Sequence, residues 1–470
     1  MNALKNIIFI LLTALTAMVG ATSCIEDGIS SNPAHQPVFS CDTLHMGVVF
    51  TDEGTPTYRF MVYNRHDKIM NISSVGVRND SGTDIFRINV DGQSGRHFSN
   101  IEIRPKDSIY VFVEATIPPS GKDLPVDIRD HVDFITNGVS TSVVLDAQGQ
   151  DVIRCRGEVI SSDTRWSPGK PRKILDSLVV AEGATLTLEA GVKLLFHDKA
   201  RLTVHGTLIT LGTPENMVEL CGDRTGNVVG DITFDIMSNQ WEGVVFRPTS
   251  RGNSLSHTDI RNTAWGVQVD SVASSSSAPA LRMLNCRLHN SAGYAFVAYH
   301  SAVEAVGCEF SDASNGVVWL SGGEHIFNHC TFANYYLFSA LGGPAIQFSH
   351  VDDDTDDGSG LPRLRADFTN SIIYGNGSEL SHDDFTGLPV TFRRCLFKSE
   401  GNDDDNFINC LWDTDPLYFT EREEYIFDYR LRDESPALNA ADASLTLPSA
   451  ATDRYGVSRL PTPSLGAYQE

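Results

Sequence analysis

Nine cysteines in 470 residues are too few to staple a chain of this length with disulfides, and none of them stands in the C-x₂-C spacing of a structural zinc site. Positive charge is also scarce. Lys and Arg number 36 against 60 Asp and Glu, a net charge of −24, which makes nucleic acid and anionic lipid surfaces poor partners. Past the first 24 residues no apolar run is long enough to cross a bilayer. A Gly-rich phosphate loop, a Gly-x-Ser-x-Gly nucleophile elbow and a His-Glu-x-x-His metal motif are all missing, so the commonest local signatures of catalysis give no lead. The length itself predicts more than one domain.

What the chain does have is a ladder. Asn-Cys-Arg-Leu-His-Asn at 285–290, Gly-Cys-Glu-Phe-Ser-Asp at 307–312 and His-Cys-Thr-Phe-Ala-Asn at 329–334 place Cys286, Cys308 and Cys330 at a constant spacing of 22 residues. Leu288, Phe310 and Phe332 follow two residues later, then Asn290, Asp312 and Asn334. Period-two alternation is strand geometry, and a repeat of 20–50 residues means stacked units. One short strand per repeat leaves room for two more strands and three turns, which is one coil of a parallel β-helix bonded to the next at about 4.8 Å. Thr258, Ile260 and Asn262 extend the pattern upstream; Ser371, Ile373, Gly375, Cys395, Phe397 and Ser399 extend it downstream. The cysteines then form an internal column of small residues, Leu, Ile and Phe a second, and Asn or Asp a third at a corner that tolerates left-handed backbone. As buried small hydrophobes the cysteines report architecture.

Before the ladder, residues 7–19 are apolar, with Lys5 ahead and Gly20-Ala21-Thr22-Ser23-Cys24 behind. This resembles a bacterial lipoprotein signal over 1–23, which implies lipidation of Cys24 and an anchor in a membrane. Glu26 and Asp27 open a polar tether over 24–37 and resemble the surface-export signal of Bacteroidota lipoproteins. Residues 38–155 read as a small β-sandwich, with short strands expected at 58–63, 73–77, 85–90, 109–113, 132–135 and 142–145. The pattern resembles immunoglobulin-like domains that precede larger modules in bacterial surface proteins. Cys41 and Cys155 near its ends leave a bridge open. A linker or cap is expected over 156–173. From 174 to 470, closely spaced short strands and Gly corners resemble right-handed parallel β-helices of the pectate-lyase-like superfamily. Insertions at 271–279 and 342–364 map to loops. The ending, with Asp453-Arg454-Tyr455-Gly456, Arg459 and Gly466-Ala467-Tyr468, resembles the closing segment of many secreted bacterial β-helix proteins.

The fold class expected is therefore all-β: an N-terminal immunoglobulin-like β-sandwich followed by a right-handed parallel β-helix. Together these parts resemble Bacteroidota surface lipoproteins whose activity is generally unassigned, which implies an outer-membrane, cell-surface location.

On the outward side of the ladder, Asp259, Arg287, Glu309 and Thr331 fall on successive coils, with Arg261, His289, Ser311 and Ala333 beside them. Asp259 and Glu309, two coils or about 9.6 Å apart, sit at the margin of the carboxylate separation of an inverting glycosidase. Arg287 between them favours ionisation of both, so a solvated ladder of cross-strand charge pairs is the expectation for Asp259, Arg287, His289 and Glu309. Asp353 and Asp357 begin a calcium-loop pattern, but Leu364 stands where its bidentate Glu belongs, so calcium is the one cofactor entertained. The Asn-Thr-Asp, Asp-Asp and Gly-His-Gly set of β-helix polygalacturonases is absent. Trp265, Tyr294, Tyr335 and Tyr336 are candidate sugar platforms, with edge packing the plainer reading, and Trp319 is assigned to an internal column with Val269 and Phe296. Four Asp-Ser or Asp-Thr tripeptides, such as Asp176-Ser177-Leu178, resemble the O-glycosylation sequon of Bacteroidota surface proteins. The function expected is a non-catalytic interaction surface for glycan or for envelope and host components. A polysaccharide lyase or glycoside hydrolase is the alternative, and a purely structural or antigenic role the next.

Overall fold

The computed structural model describes residues 28–80, 82–229, 232–271, 278–350 and 362–470. Cys24, Asp353, Asp357 and most of the serine run lie outside the described residues. Regular structure is nearly all strand, and among the described residues the helical elements are single 3₁₀ turns. The chain forms two units divided between Gln150 and Asp151, with Lys122–Leu124 belonging to the second.

The first unit holds two five-stranded sheets. One carries Val38–Phe39, Tyr58–Tyr63, Ser108–Ala115, Phe86–Val90 and Gln93–Gly95 in that order. The other carries Thr43–Phe50, Val139–Gln150, Val126–Thr136, Met70–Val77 and His97–Ile103, its first pair parallel and the rest antiparallel. Ser108–Ala115 shows the cause: Ile109, Val111, Val113 and Ala115 are buried while Tyr110 and Glu114 face out, the period-two pattern of a half-buried strand. The buried rows of both sheets, including Phe60, Val62, Ile72, Val111 and Phe134, make one core. All six strand segments read from the sequence are present, and four further strands are added, two of them long: Thr43–Phe50 and His97–Ile103. In Thr43–Phe50 the alternation breaks at Gly47 (φ 63°), and in His97–Ile103 at Asn100 (φ 57°). A left-handed residue inside a strand shifts the side-chain phase, which hides the strand from a periodicity search.

The second unit is built of three parallel sheets of ten, eight and ten strands, visited in rotation so that each strand pairs with its counterpart one coil on. This arrangement is consistent with a parallel β-helix. Its first coil is Ile153–Cys155, Glu158–Ile160 and Thr164–Trp166, so strands already occupy residues 156–173. The first sheet carries the ladder. Ile260, Leu288, Phe310, Phe332, Ile373 and Phe397 are successive register partners, all buried. The small-residue column stands beside them: the Cys286 amide donates to Cys308 Sγ at 3.4 Å, and the Cys330 amide to Ser371 Oγ at 3.1 Å. Every described cysteine is a free thiol, Cys41 and Cys155 included.

The coil turns at residues whose backbone is left-handed. Asn262, Asn290 and Asp312 have φ of 67°, 54° and 50°, at the corner read from the sequence. A second such column lies just before the cysteines, at His257, Asn285, His329, Asn370 and Arg394 (φ 43–57°), with Gly307 at 64°. A Cβ on Gly307 would come within 2.1 Å of Asn285 Oδ1, so glycine is required there by space as well as by φ. On the third sheet Phe327, Phe368, Phe392 and Phe407 stack ring on ring, with centroids 4.9, 4.8 and 4.9 Å apart. Those distances match the spacing between coils.

Trp319 is not internal. Val318 pairs with Phe296, and Trp319 with Val297, one residue out of phase with the expected column. Gly316 pairs with Tyr294 and not with Gly293, so the glycines used to align the coils are not equivalent, and a one-residue slip moves a side chain to the opposite face.

From about residue 417 the chain leaves the coil and covers the outer face of the first sheet. Tyr418, Tyr429, Leu431, Ala437, Leu465, Ala467 and Tyr468 pack with Ala333, Ile372 and Leu396. Two buried side chains hold this segment in shape. Arg459 donates to the carbonyls of Gly466 and Ala467 at 3.1 and 2.7 Å, and Asp453 accepts from the amides of Tyr455, Val457 and Gln469.

Candidate functional site

The four ladder residues singled out from the sequence, Asp259, Arg287, His289 and Glu309, line one recess of about 360 Å³ on the first sheet. Register places them as read: Asp259 opposite Arg287, Arg287 opposite Glu309, and Arg261 opposite His289. Their environment differs from the expected solvated face. Asp259 is 5% exposed and Glu309 3%, because the C-terminal segment lies over them. The recess is closed on one side by the loop that carries the Phe234–Ile236 turn and on another by Phe427.

Asp259 is the centre of the charge network. Arg287 Nη2 lies 2.7 Å from its Oδ2, Arg261 Nη1 3.0 Å from its Oδ1, and His289 Nε2 3.2 Å from the same oxygen. Arg454 Nη2 stands at 3.8 Å. Burial alone would raise the carboxyl's pKa, but the charges of Arg287 and Arg261 outweigh it and hold Asp259 well below the usual carboxylate range. Burial, and then Arg287, lower the pKa of His289, so its imidazole is neutral at pH 7. Arg261 also reaches Glu219 Oε2 at 3.2 Å and Asp235 Oδ1 at 3.3 Å.

Glu309 has different partners. Ser311 Oγ donates to its Oε1 at 2.6 Å and the Tyr468 hydroxyl to its Oε2. Asp312, at the corner, accepts from the Tyr429 hydroxyl at 2.6 Å and the Tyr335 amide at 3.0 Å. Burial pushes the Asp312 carboxyl up to about 7 in spite of these bonds. Guanidinium groups hold Asp259 ionised, which sets it against general-acid work, while Glu309 accepts from two hydroxyls.

Glu219, Asp235, Arg454, Tyr429 and Tyr468 were not legible as members of this site. Glu219 carried one signal, since it pairs with Asp259 and continues the same outward column upstream. The others come from a loop and from a segment more than a hundred residues later, where no periodicity points back to the ladder.

The aromatic candidates separate into two groups. Tyr335 packs on Tyr429 at 5.9 Å, and Tyr336 is buried with its hydroxyl 2.7 Å from Ser238 Oγ, so both serve the cover of the first sheet. Tyr294 belongs to the second sheet and Trp265 to the corner leading into it; on that sheet sequence reading missed Tyr299 and placed Trp319 inside. Tyr294 and Tyr299 flank the Trp319 ring at 5.5 and 5.3 Å, and Trp265 is 58% exposed. Trp319 Nε1 donates to Ser349 Oγ at 2.8 Å. Beside Trp265 is a shallow depression of about 290 Å³ lined by Arg201, Glu242, Arg247 and Gln268. Its polar groups are tied down: Arg201 to Glu242, and Arg247 and Gln268 to Asp270.

Among the described residues, one group offers metal-ligand geometry, Asp80, Asp130 and His131 of the first unit, with ligand atoms within 4.8 Å of one another. His131 Nδ1 bonds Asp80 at 2.9 Å, and Arg78 stands 3.8 Å from the same carboxylate.

No family model and no curated protein matches this chain. Among solved structures it is similar to a protein of unknown function from Porphyromonas gingivalis W83, at 19% identity over 25% of this chain and 49% of that one, with a TM-score of 0.19. A family 123 glycoside hydrolase from Clostridium perfringens matches at 9% identity over 24% of this chain and 25% of its own, with a TM-score of 0.18. The catalytic unit of a GH87 alpha-1,3-glucanase from Streptomyces thermodiastaticus strain HF3-3 matches at 10% identity over 72% and 73%, with a TM-score of 0.20. The chain thus spans about half the length of the first of these and a quarter of the second. Scores this low support no inference about activity.

Proposed function

We propose that this is a lipid-anchored cell-surface protein of the outer membrane whose coiled unit binds glycan without transforming it. One observation carries the reading: Tyr294, Tyr299 and Trp319 cluster on the second sheet, and the exposed Trp265 stands at the corner leading into that sheet, beside polar groups that are already fixed by one another. Flat rings cover the apolar C–H faces of sugars, and side chains fixed before binding lose little entropy when hydroxyl groups dock on them. The pairing of Asp259 supports the non-catalytic side of the reading, because guanidinium groups hold its carboxyl ionised.

The same reading takes the first unit as an immunoglobulin-like sandwich and the coil as right-handed, the hand that parallel crossovers nearly always adopt. It takes Cys24 as the lipidated residue and the chain as a relative of Bacteroidota surface lipoproteins. The reading takes binding at the aromatic face as independent of calcium. A glycan array probed with the soluble fragment that starts after Cys24, with and without calcium, tests the proposal. Retention of a polysaccharide class independent of calcium supports it. Release of shortened product would replace it with an enzymatic reading, and an array with no retained glycan would leave a structural or antigenic role.

A further inference from the structure

The recess on the first sheet has properties that packing alone does not require. Three separate parts of the chain wall it: the ladder strands, the loop around Asp235 and Ile236, and Phe427 of the C-terminal segment. Its volume, about 360 Å³, lies at the lower end of small-molecule sites, about 300–1,000 Å³.

Within it, charge is matched locally. Glu219, Asp235 and Asp259 face Arg261 and Arg287, with Lys193 3.1 Å from Glu219 and Arg454 beside Asp259. These pairs lock the side chains without exhausting them, since a carboxylate offers about four acceptor sites and a guanidinium five N–H donors. The apolar part of the lining is Met217, Ile236 and the half-buried ring of Phe427.

We infer that this recess is a binding site for one neutral sugar residue. A ligand of either sign would meet fixed like charges: an anion the carboxylates of Glu219, Asp235, Asp259 and Glu309, a cation the guanidinium groups of Arg261 and Arg287. A neutral polyol meets donors and acceptors together, and each of its hydroxyls both gives and takes a hydrogen bond. Phe427 supplies the flat apolar wall for the C–H face of the ring. The recess shares no residue with the aromatic face of the second sheet, so this site does not depend on that one.

Saturation-transfer NMR and calorimetry on the full chain, with glucose, galactose, mannose and N-acetylglucosamine and with glucuronate as the charged comparison, test the inference. The expected result is binding of a neutral sugar, weakened at least about tenfold by Phe427→Ala and by Asp235→Ala and unchanged by Ile326→Ala on the exposed face of the third sheet, with glucuronate at least about tenfold weaker. The Asp235 side chain is 69% exposed, so its variant keeps the test readable if Phe427→Ala does not fold. Four results would each overturn the inference: no neutral sugar bound by the unaltered chain, binding unmoved by the pocket variants, a preference for glucuronate, or an equal loss of binding in Ile326→Ala.

Discussion

The hydroxyl of Tyr468 donates a hydrogen bond to Glu309 Oε2 across 159 residues of sequence. That bond joins the last few residues of the chain to the middle of the ladder and turns an outward-facing carboxylate into a buried one. The covering segment and the coil are therefore energetically one structure on this face.

Removing the hydroxyl should show this. Tyr468→Phe leaves one oxygen of a buried carboxylate without its donor, at a cost of about 1–3 kcal/mol. Urea unfolding should register a lower midpoint with the slope kept. An unchanged midpoint would mean that the segment rests on the ladder through its apolar contacts alone.

The Asp312 carboxyl gives a pH signature. Its folded pKa, pushed up by burial to about 7, lies above the ordinary carboxylate value of 3.8, so the native state holds a proton that the unfolded chain releases. Its contribution to stability is full below pH about 4 and is lost as pH rises through about 7. Asp259, held low, contributes in the opposite sense, and its contribution is lost as pH falls below about 4 toward its depressed pKa. The melting temperature at pH 8 relative to that at pH 4 should thus be lower in the parent than in Asp312→Asn. A variant with the same slope as the parent would assign the pH dependence elsewhere.

Thiol chemistry follows from the ladder. Burial raises the pKa of Cys286, Cys308 and Cys395 and keeps reagents away. Alkylation followed by peptide mapping should leave these three unmodified in the native protein and label them after denaturation. Rapid native labelling at Cys308 would contradict the internal column.

The ring column on the third sheet should be a mechanical weak point if cut. Phe368 stacks between Phe327 and Phe392 at 4.9 and 4.8 Å, and Phe368→Ala should cost about 3–5 kcal/mol through lost transfer energy and the cavity left behind. A loss below about 1 kcal/mol, within the range of an ordinary surface substitution, would show that neighbouring coils collapse to fill the gap.

Most of the coil was legible because stacking imposes a period: Cys286, Cys308 and Cys330, and the Leu288–Phe310–Phe332 row, repeat for a physical reason and were read in register. Reading stopped where the physics is not periodic. Trp319 was misphased because Gly293 and Gly316 look alike in sequence but occupy different points of their coils. The charge of Asp259, Arg287 and Glu309 was placed on the correct face. Its burial could not be read, since the cover is made by Arg454, Phe427 and Tyr468, whose sequence carries no repeat. Strands at Thr43–Phe50 and His97–Ile103 were hidden by one left-handed residue each.

The central claim, glycan binding at the second sheet without chemistry, is most directly tested by titrating the best array ligand into the unaltered chain and into Trp265→Ala and Trp319→Ala. Binding at least about tenfold weaker in both variants, with the ligand recovered intact, is the predicted result. Undiminished affinity in both, or ligand recovered as shorter fragments, would contradict the account.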